Sequence, residues 1–338
     1  MNVLLTGGAG YIGSHTYLAL IVYGLKPVIL DDFSNSSPTV LERLELISHK
    51  PVVCELGNVA DLPFVEAVIQ RHKIQAVIHF AGSKAVGESV ALPLRYYDNN
   101  VVGMTRLLQA MEKTGCRTLV FSSSATVYGD PAKVPITEIF PRSHTNPYGH
   151  TKLVIEDMLY ALQAADSSWK MAVLRYFNPV GAHPSGLIGE DPQGPPNNLM
   201  PYIAQVAVQQ RPILNVYGND YPTPDGTGVR DYIHVQDLAQ GHIAALQALT
   251  SHGILTVNLG TGRGYSVLEV VKAFERASGK SVPYQFMPRR AGDVAQCYAS
   301  TALAKQLLGW EAQLDLDSMC ADAWRWQKGS GNVSGSAW

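Results

Sequence analysis

Cysteine, net charge and long apolar runs are all scarce in this chain. Its 338 residues include four cysteines, Cys54, Cys116, Cys297 and Cys320, widely spaced and without a Cys-x-x-Cys pair. That spacing gives neither a disulfide framework nor a thiolate zinc site, so no metal is expected. The formal net charge is -2, which makes neither nucleic acid nor an anionic membrane surface an expected partner. No stretch reaches the roughly 20 apolar residues of a membrane-spanning helix. The apolar run near Met1 is too short for a signal peptide and lacks a basic flank. A reducing cytoplasm is the expected compartment. The composition is 46% hydrophobic and 16% charged, ordinary for a soluble globular protein of one enlarged domain or two.

The first half alternates short apolar runs with longer amphipathic ones. Strands are expected at Asn2–Thr6, Pro27–Asp31, Pro51–Cys54, Gln75–Phe80, Arg117–Phe121 and Met171–Arg175. Helices are expected up to about Gly24 and near 39–48, 62–72, 93–114 and 147–166. Such alternation implies βαβ units, hence an α/β fold with a doubly wound, Rossmann-like parallel sheet. Residues 1–180 would form that domain. Residues 181–328 would form a smaller α/β substrate domain, with the chain free to cross between the two. Its elements are strands at Leu214–Tyr217 and Thr256–Leu259 and helices at about Leu199–Gln209, Val235–Leu249 and Ser266–Ala277. The Gly-, Pro- and Asn-rich stretch from 181 to 198 looks like a long loop over a site. The last residues, 329–338, are rich in Gly and Ser and are expected to form a flexible tail.

Two stretches carry chemistry. Between the first strand and the first helix lies Thr6-Gly7-Gly8-Ala9-Gly10-Tyr11-Ile12-Gly13, a Gly-x-x-Gly-x-x-Gly variant of the dinucleotide fingerprint. Glycines allow a tight turn and close approach of a pyrophosphate to the helix N-terminus. Asp31 ends the next strand, where an acid bonds ribose hydroxyls and repels a 2′-phosphate, favouring NAD over NADP. Asp32 adds a second negative charge. The bland alternative is a glycine turn beside a capping aspartate. The second stretch runs from Ser122 to Lys152. Tyr148 and Lys152 are four apart behind Pro147, which suits a helix's first turn, so both lie on one helical face. An ammonium near a phenol lowers its pKa from about 10, making Tyr148 a candidate general base. The Ser123–Ser124 pair could bridge Tyr148 to a substrate oxygen. Tyr-x-x-x-Lys alone also arises by chance in many helices.

The glycine loop, Ser122–Ser124 and Tyr148-x-x-x-Lys152 together resemble the extended short-chain dehydrogenase/reductase superfamily. Longer motifs narrow the resemblance to the UDP-galactose (UDP-glucose) 4-epimerases. They are His79-Phe80-Ala81-Gly82-Ser83-Lys84-Ala85-Val86-Gly87-Glu88-Ser89, Tyr96-Tyr97-Asp98-Asn99-Asn100, Arg175-Tyr176-Phe177-Asn178-Pro179-Val180-Gly181-Ala182-His183-Pro184, Pro196-Asn197-Asn198-Leu199-Met200-Pro201 and Gly228-Val229-Arg230-Asp231-Tyr232-Ile233-His234. The likeness runs from Met1 to about Trp326. It implies an enzyme with bound NAD, UDP-sugar substrates and a homodimer. It places cofactor contacts on Gly7, Gly10, Tyr11, Ile12, Gly13, Asp31, Asn35, Asn58, Val59, Phe80, Ala81, Lys84, Asn99, Ser122, Tyr148, Lys152 and Tyr176. Sugar-nucleotide contacts fall on Ser124, Asn178, Asn198, Leu199, Tyr217, Arg230, Arg290, Asp293 and Cys297. A diphosphate needs planar cationic forks, and Arg230 and Arg290, in glycine-flanked loops, offer them. Each arginine alone could equally be a surface charge, and the asparagines ordinary turn residues.

The implied reaction is transient oxidation at the sugar C4. Tyr148 is its base, Ser124 its proton relay, and Lys152 binds the nicotinamide ribose and keeps the Tyr148 pKa low. Sugar dehydratases of the superfamily look like Ser-Thr-Asp-Glu-Val-Tyr-Gly where this chain has Ser123-Ser124-Ala125-Thr126-Val127-Tyr128-Gly129. Ala125 and Thr126 thus stand where elimination needs an acid and a base, and a related decarboxylase would also want a glutamate at Thr126. Two positions depart from the family pattern. Asn58 stands in place of an aspartate that holds the adenine amino group; its amide carbonyl still accepts that bond. Cys297 replaces a tyrosine found in epimerases restricted to unacetylated sugars, which implies activity on UDP-N-acetylglucosamine and UDP-N-acetylgalactosamine as well. A buried small cysteine without a role, or an alignment shifted onto Tyr298, is the alternative. Other superfamily enzymes acting on sugar nucleotides, and an NAD-sensing binding protein, are the competing functional classes. The two helices at 93–114 and 147–166 suit a dimer interface, although their apolar faces could equally cover the sheet.

Overall fold

The computed structural model describes residues 1–192, 194, 196, 198–290 and 292–330. Asn197 of the motifs above lies outside the described residues, as does the tail from 331 onward. In chain order the elements begin β1 Asn2–Thr6, α1 Tyr11–Val22, β2 Lys26–Asp31, α2 Thr39–Ser48, β3 Cys54–Leu56, α3 Leu62–Arg71 and β4 Ala76–His79. Next come α4 Val86–Ala91, α5 Pro93–Tyr96, a π-helical stretch Tyr97–Val102, α6 Gly103–Thr114, β5 Thr118–Ser124, α7 Pro147–Ala165 and β6 Lys170–Tyr176. The remainder is β7 Asn178–Val180, α8 Leu199–Ala207, β8 Leu214–Tyr217, β9 Val229–His234, α9 Val235–Ala248, β10 Ile254–Leu259, β11 Gly264–Ser266, α10 Val267–Ser278, β12 Tyr284–Met287, β13 Gln296–Cys297, α11 Ala302–Leu308 and α12 Leu316–Ser330.

Seven strands form one sheet in the order β10-β6-β5-β4-β1-β2-β3, and every pairing in it is parallel. Both faces of such a sheet must be covered, so its strands read as continuous apolar runs. Val3, Leu4 and Leu5 of β1 and Ala76, Val77 and Ile78 of β4 are fully buried. The strand order reverses between β1 and β4, and the crevice beyond their C-terminal ends is where such sheets bind ligands. A smaller sheet centres on β9. That strand pairs antiparallel with β11, and parallel with β13 at its start and β7 at its end.

Four sequence expectations change. Residues 93–114 are not one helix, because α5, the π-helical stretch and α6 follow one another. Asn100, buried in the π-helical stretch, explains the break. Its amide accepts from Ser83 N at 2.8 Å and donates to Ser83 O and Thr151 Oγ1 at 3.0 Å each. The third strand forms at Cys54–Leu56, not Pro51–Cys54, because pairing with Ile29–Asp31 selects it. Thr256–Leu259 lies within β10, the edge of the large sheet, and α9 packs on α1. The chain therefore crosses back after residue 181 to complete the first half's fold. Gly329 and Ser330 continue α12 and are not part of a tail.

Candidate active site

The glycine loop sits where close packing leaves no room for side chains. Gly7 has φ +70°, and a Cβ there would lie 2.7 Å from Ala81 N. A Cβ at Gly13 would lie 2.5 Å from Gly7 O. Backbone can thus pass directly beneath a ligand. The N-terminus of α1 carries no side-chain cap and no acidic residue in its first turn, which leaves its amides and dipole facing the crevice. Asp31 ends β2, and its carboxylate accepts from Ala9 N, Phe33 N and Ser36 Oγ at 2.9 Å each. Burial raises its pKa while these bonds lower it.

A cavity of about 710 Å³ opens over this loop. Gly7, Gly10, Tyr11, Ile12 and Gly13 form its floor, with Asp31, Asn35, Asn58 and Val59 at one end. Phe80, Ala81, Lys84, Asn99, Ser122, Tyr148, Lys152 and Tyr176 complete the wall. The structure therefore brings together every residue the sequence proposed for the cofactor. Asn58 donates to Asp32 at 2.8 Å and its carbonyl accepts from Ala60 N at 2.9 Å, leaving one lone pair for a further donor.

Helix α7 delivers the Tyr–Lys pair. Asn146 caps it by accepting from Gly149 N at 2.9 Å, and Pro147 occupies the first turn. Lys152 donates to Ser122 O at 2.7 Å, and its Nζ lies 5.9 Å from the centre of the Tyr148 ring. Burial pulls the Lys152 pKa down to about 8, with Glu156 opposing. The Tyr148 pKa is the main correction to the sequence reading. Burial raises it above the ordinary phenol value, and the Ser124 hydrogen bond is what lowers it. Lys152 does not supply that lowering; its ammonium is engaged by the Ser122 carbonyl. The serine pair also divides. Ser124 accepts from Thr126 N at 3.2 Å and acts on the Tyr148 pKa, whereas Ser123 donates to Glu156 at 2.6 Å.

The residues proposed for the sugar nucleotide are not part of the lining of this cavity. Arg230 is on β9, not in a loop, and pairs in register with Cys297 on β13. Cys297 packs against the cluster of Val127, Tyr128, Ile136, Phe177 and Ala299, and burial pushes its thiol up to about 11. Tyr298, just past the end of β13, lies against Gly264, where a Cβ would stand 3.0 Å from its ring. Arg290 lies over the Tyr217 ring at 4.8 Å and pairs with Asp293 at 2.9 Å. Asn198, at the N-cap of α8 beside Leu199, makes no capping bond. It donates instead to Glu190 at 2.6 Å, which Lys84 approaches at 3.3 Å. Asn178 opens β7 beside Tyr232.

Sequence reasoning missed Glu156, fully buried one turn beyond Lys152 and paired with Arg175 at 2.7 Å. Its signal was the continued four-residue spacing. It also missed Glu190 and Trp326, which line the cavity, and His242, bonded to Tyr176. No short motif marks these three. Among the described residues no cluster of His, Cys, Asp or Glu suits a metal ion. Among them, too, no helix is long and apolar enough to cross a membrane.

A doubly wound sheet with a glycine loop at its switch point and a Tyr–Lys pair on the facing helix defines an extended short-chain dehydrogenase/reductase. The family model described as GDP-mannose 4,6 dehydratase matches residues 4–323. The UDP-glucose 4-epimerase of Bacillus subtilis (strain 168) is 60% identical over 99% of this chain and 98% of its own length. The crystal structure of a UDP-glucose-4-epimerase from Stenotrophomonas maltophila with bound NAD and formylated UDP-arabinopyranose superposes with TM-score 0.97. It is 51% identical, covering 98% of this chain and 99% of its own. That of the Bifidobacterium longum enzyme, in complex with NAD+ and UDP, gives TM-score 0.95 at 52% identity, with coverage of 98% and 99%. The chain belongs to this family of sugar-nucleotide enzymes and, within it, to the UDP-glucose 4-epimerases.

Proposed function

We propose that the chain is an NAD-holding isomerase that inverts C4 of UDP-galactose and UDP-glucose, and of their N-acetylated counterparts. The observation that carries this reading is Tyr148. It lines a dinucleotide cavity and Ser124 acts to lower its pKa, while Ala125 and Thr126, in the adjoining turn, offer no group to drive elimination.

The cavity fits NAD. Its uncapped helix N-terminus and bare Gly10 accept a diphosphate, Asp31 and Asp32 select an unphosphorylated ribose, and Tyr176, Ser122 and Lys152 hold the nicotinamide end. Bound NAD supplies a reversible two-electron acceptor for the hydrogen at C4, so no net redox change results. Tyr148 takes the proton of the 4-hydroxyl and returns it after the sugar has turned over. Ser124 holds the 4-oxygen and passes the proton on when Tyr148 is out of direct reach. Lys152 anchors the nicotinamide ribose. Tyr148 titrates high in the chain alone, so its role as a base calls for further positive charge in the loaded cavity. Arg230 and Arg290 hold the diphosphate of the UDP-sugar, and the uncapped N-terminus of α8 at Asn198 and Leu199 adds amides.

On this reading Cys297 leaves room for an acetamido group, while Tyr298, just past β13, lies against Gly264. Cys297→Tyr is expected to suppress turnover of the N-acetylated sugars and spare UDP-galactose; equal losses on both would reject the specificity assignment. The chain also forms a homodimer on this reading. Val90 and Leu94, 63% and 81% exposed, form an apolar strip where α4 and α5 pack on α7. Purified protein without added cofactor should turn over UDP-galactose and UDP-N-acetylgalactosamine side by side. Absence of turnover on UDP-galactose, or a requirement for stoichiometric added NAD, would overturn the proposal.

A further inference from the structure

Tyr176 ends β6 and forms part of the wall of the cofactor cavity. Its hydroxyl is hydrogen-bonded to Nε2 of His242, a fully buried residue of α9. The two rings meet edge-on, centroids 5.2 Å apart. The other ring nitrogen, Nδ1, lies 2.8 Å from Leu238 O. A carbonyl oxygen can only accept, so Nδ1 carries a hydrogen. Burial also holds His242 neutral, with its pKa down to about 4. Nε2 is therefore a bare lone pair, and the bond to Tyr176 uses the phenol's one proton. Phe80 packs on the imidazole, with ring centroids 4.9 Å apart.

We propose that His242 is a positioning residue that fixes the polarity of Tyr176, making this wall of the cavity acceptor-only. The inference rests on the reading of the site as an NAD site and deepens it. A nicotinamide carboxamide has a donor end, its amino group, and an acceptor end, its carbonyl. Only the amino group finds a partner at Tyr176. His242 thus acts through Tyr176 on how the nicotinamide is held, without touching substrate or cofactor itself.

NAD release tests this directly. Protein is loaded with labelled NAD, chased with unlabelled NAD and followed by filtration, alongside thermal melting. His242→Leu removes the acceptor, frees the Tyr176 proton and should speed release about fivefold, the value of one neutral hydrogen bond. His242→Gln keeps an acceptor at the same reach and should release at the wild-type rate. In a Tyr176→Phe background, His242→Leu should add nothing. A purely structural histidine would not give this pattern of rescue and non-additivity. Wild-type release from His242→Leu, independent multiplication of the two effects, or fast release from His242→Gln would each overturn the inference while NAD binding by the wild type stands. If His242→Leu does not fold, the Gln variant decides by the same criterion. A wild-type protein that takes up no NAD would overturn the reading of the site and this inference with it.

Discussion

Replacing Glu156 should damage both the fold and the chemistry, in separable ways. Its carboxylate is fully buried and all its bonding capacity is used. Oε1 accepts from Ser123 Oγ at 2.6 Å and Arg175 Nε at 3.0 Å. Oε2 accepts from Arg175 Nη2 at 2.7 Å and Arg142 Nη1 at 3.3 Å. Arg175 is itself only 2% exposed, and its other partners, the Tyr128 hydroxyl and Glu138 O, are neutral. Glu156→Gln leaves that guanidinium uncompensated and turns an amide NH2 toward donors. Removing one partner of a buried pair costs about 3–5 kcal/mol. With an unfolding entropy of about 2.1 cal/mol/K per residue over 338 residues, the melting temperature should fall by roughly 4–7 °C. Scanning calorimetry on NAD-loaded protein measures it. Glu156→Leu combined with Arg175→Met should recover much of the loss, because neither charge is then stranded. The chemical effect has its own sign. Glu156 raises the Lys152 pKa against the burial that lowers it to about 8. Removing Glu156 lowers that pKa further, so Lys152 loses its proton earlier as pH rises. The alkaline limb of kcat/KM should move to lower pH. A melting temperature within about 1 °C of wild type, together with an unmoved limb, would refute the reasoning.

Tyr148→Phe should cut kcat at least about a hundredfold, the lower range for a positioned acid–base group, with melting and NAD content preserved; near-wild-type turnover would remove Tyr148 from the mechanism. Asp31→Ala should loosen NAD and relax discrimination against NADP, read by competitive release of each; unchanged NAD content after purification would count against the assignment. Placing a charge in the exposed strip, as in Leu94→Glu, should shift sedimentation toward monomer, whereas an unaltered sedimentation profile would place the dimer contact elsewhere.

What was legible in the sequence was whatever local chemistry encodes. The bounds of α7 follow from Asn146 and Pro147, and the β1 loop follows from its glycines. Asn100 is different. Nothing in Tyr97–Val102 announces a π-helical stretch, because the stretch answers to partners at Ser83 and Thr151. Glu156 finds its charge partner 19 residues away and His242 finds Tyr176 66 residues away. Neither pairing exists until the sheet has formed. The course of β10 likewise depends on β6 exposing a free edge, not on composition.

The Tyr148 pKa shows where local reasoning misleads. Four-residue spacing correctly put Lys152 on the same face, but spacing says nothing about what else competes for the ammonium. In the fold, Ser122 O takes it, and burial penalises the tyrosinate with only Ser124 opposing. Along α7 three residues at equal spacing then divide the work. Tyr148 faces the cavity, Lys152 lies one turn deeper, and Glu156 is sealed against Arg175. Burial lowers the Lys152 pKa to about 8, and the charge of Glu156, itself paired with Arg175, opposes that fall. The carboxylate of a structural ion pair in the core thus helps to set the pH at which the residue beside the catalytic phenol loses its proton.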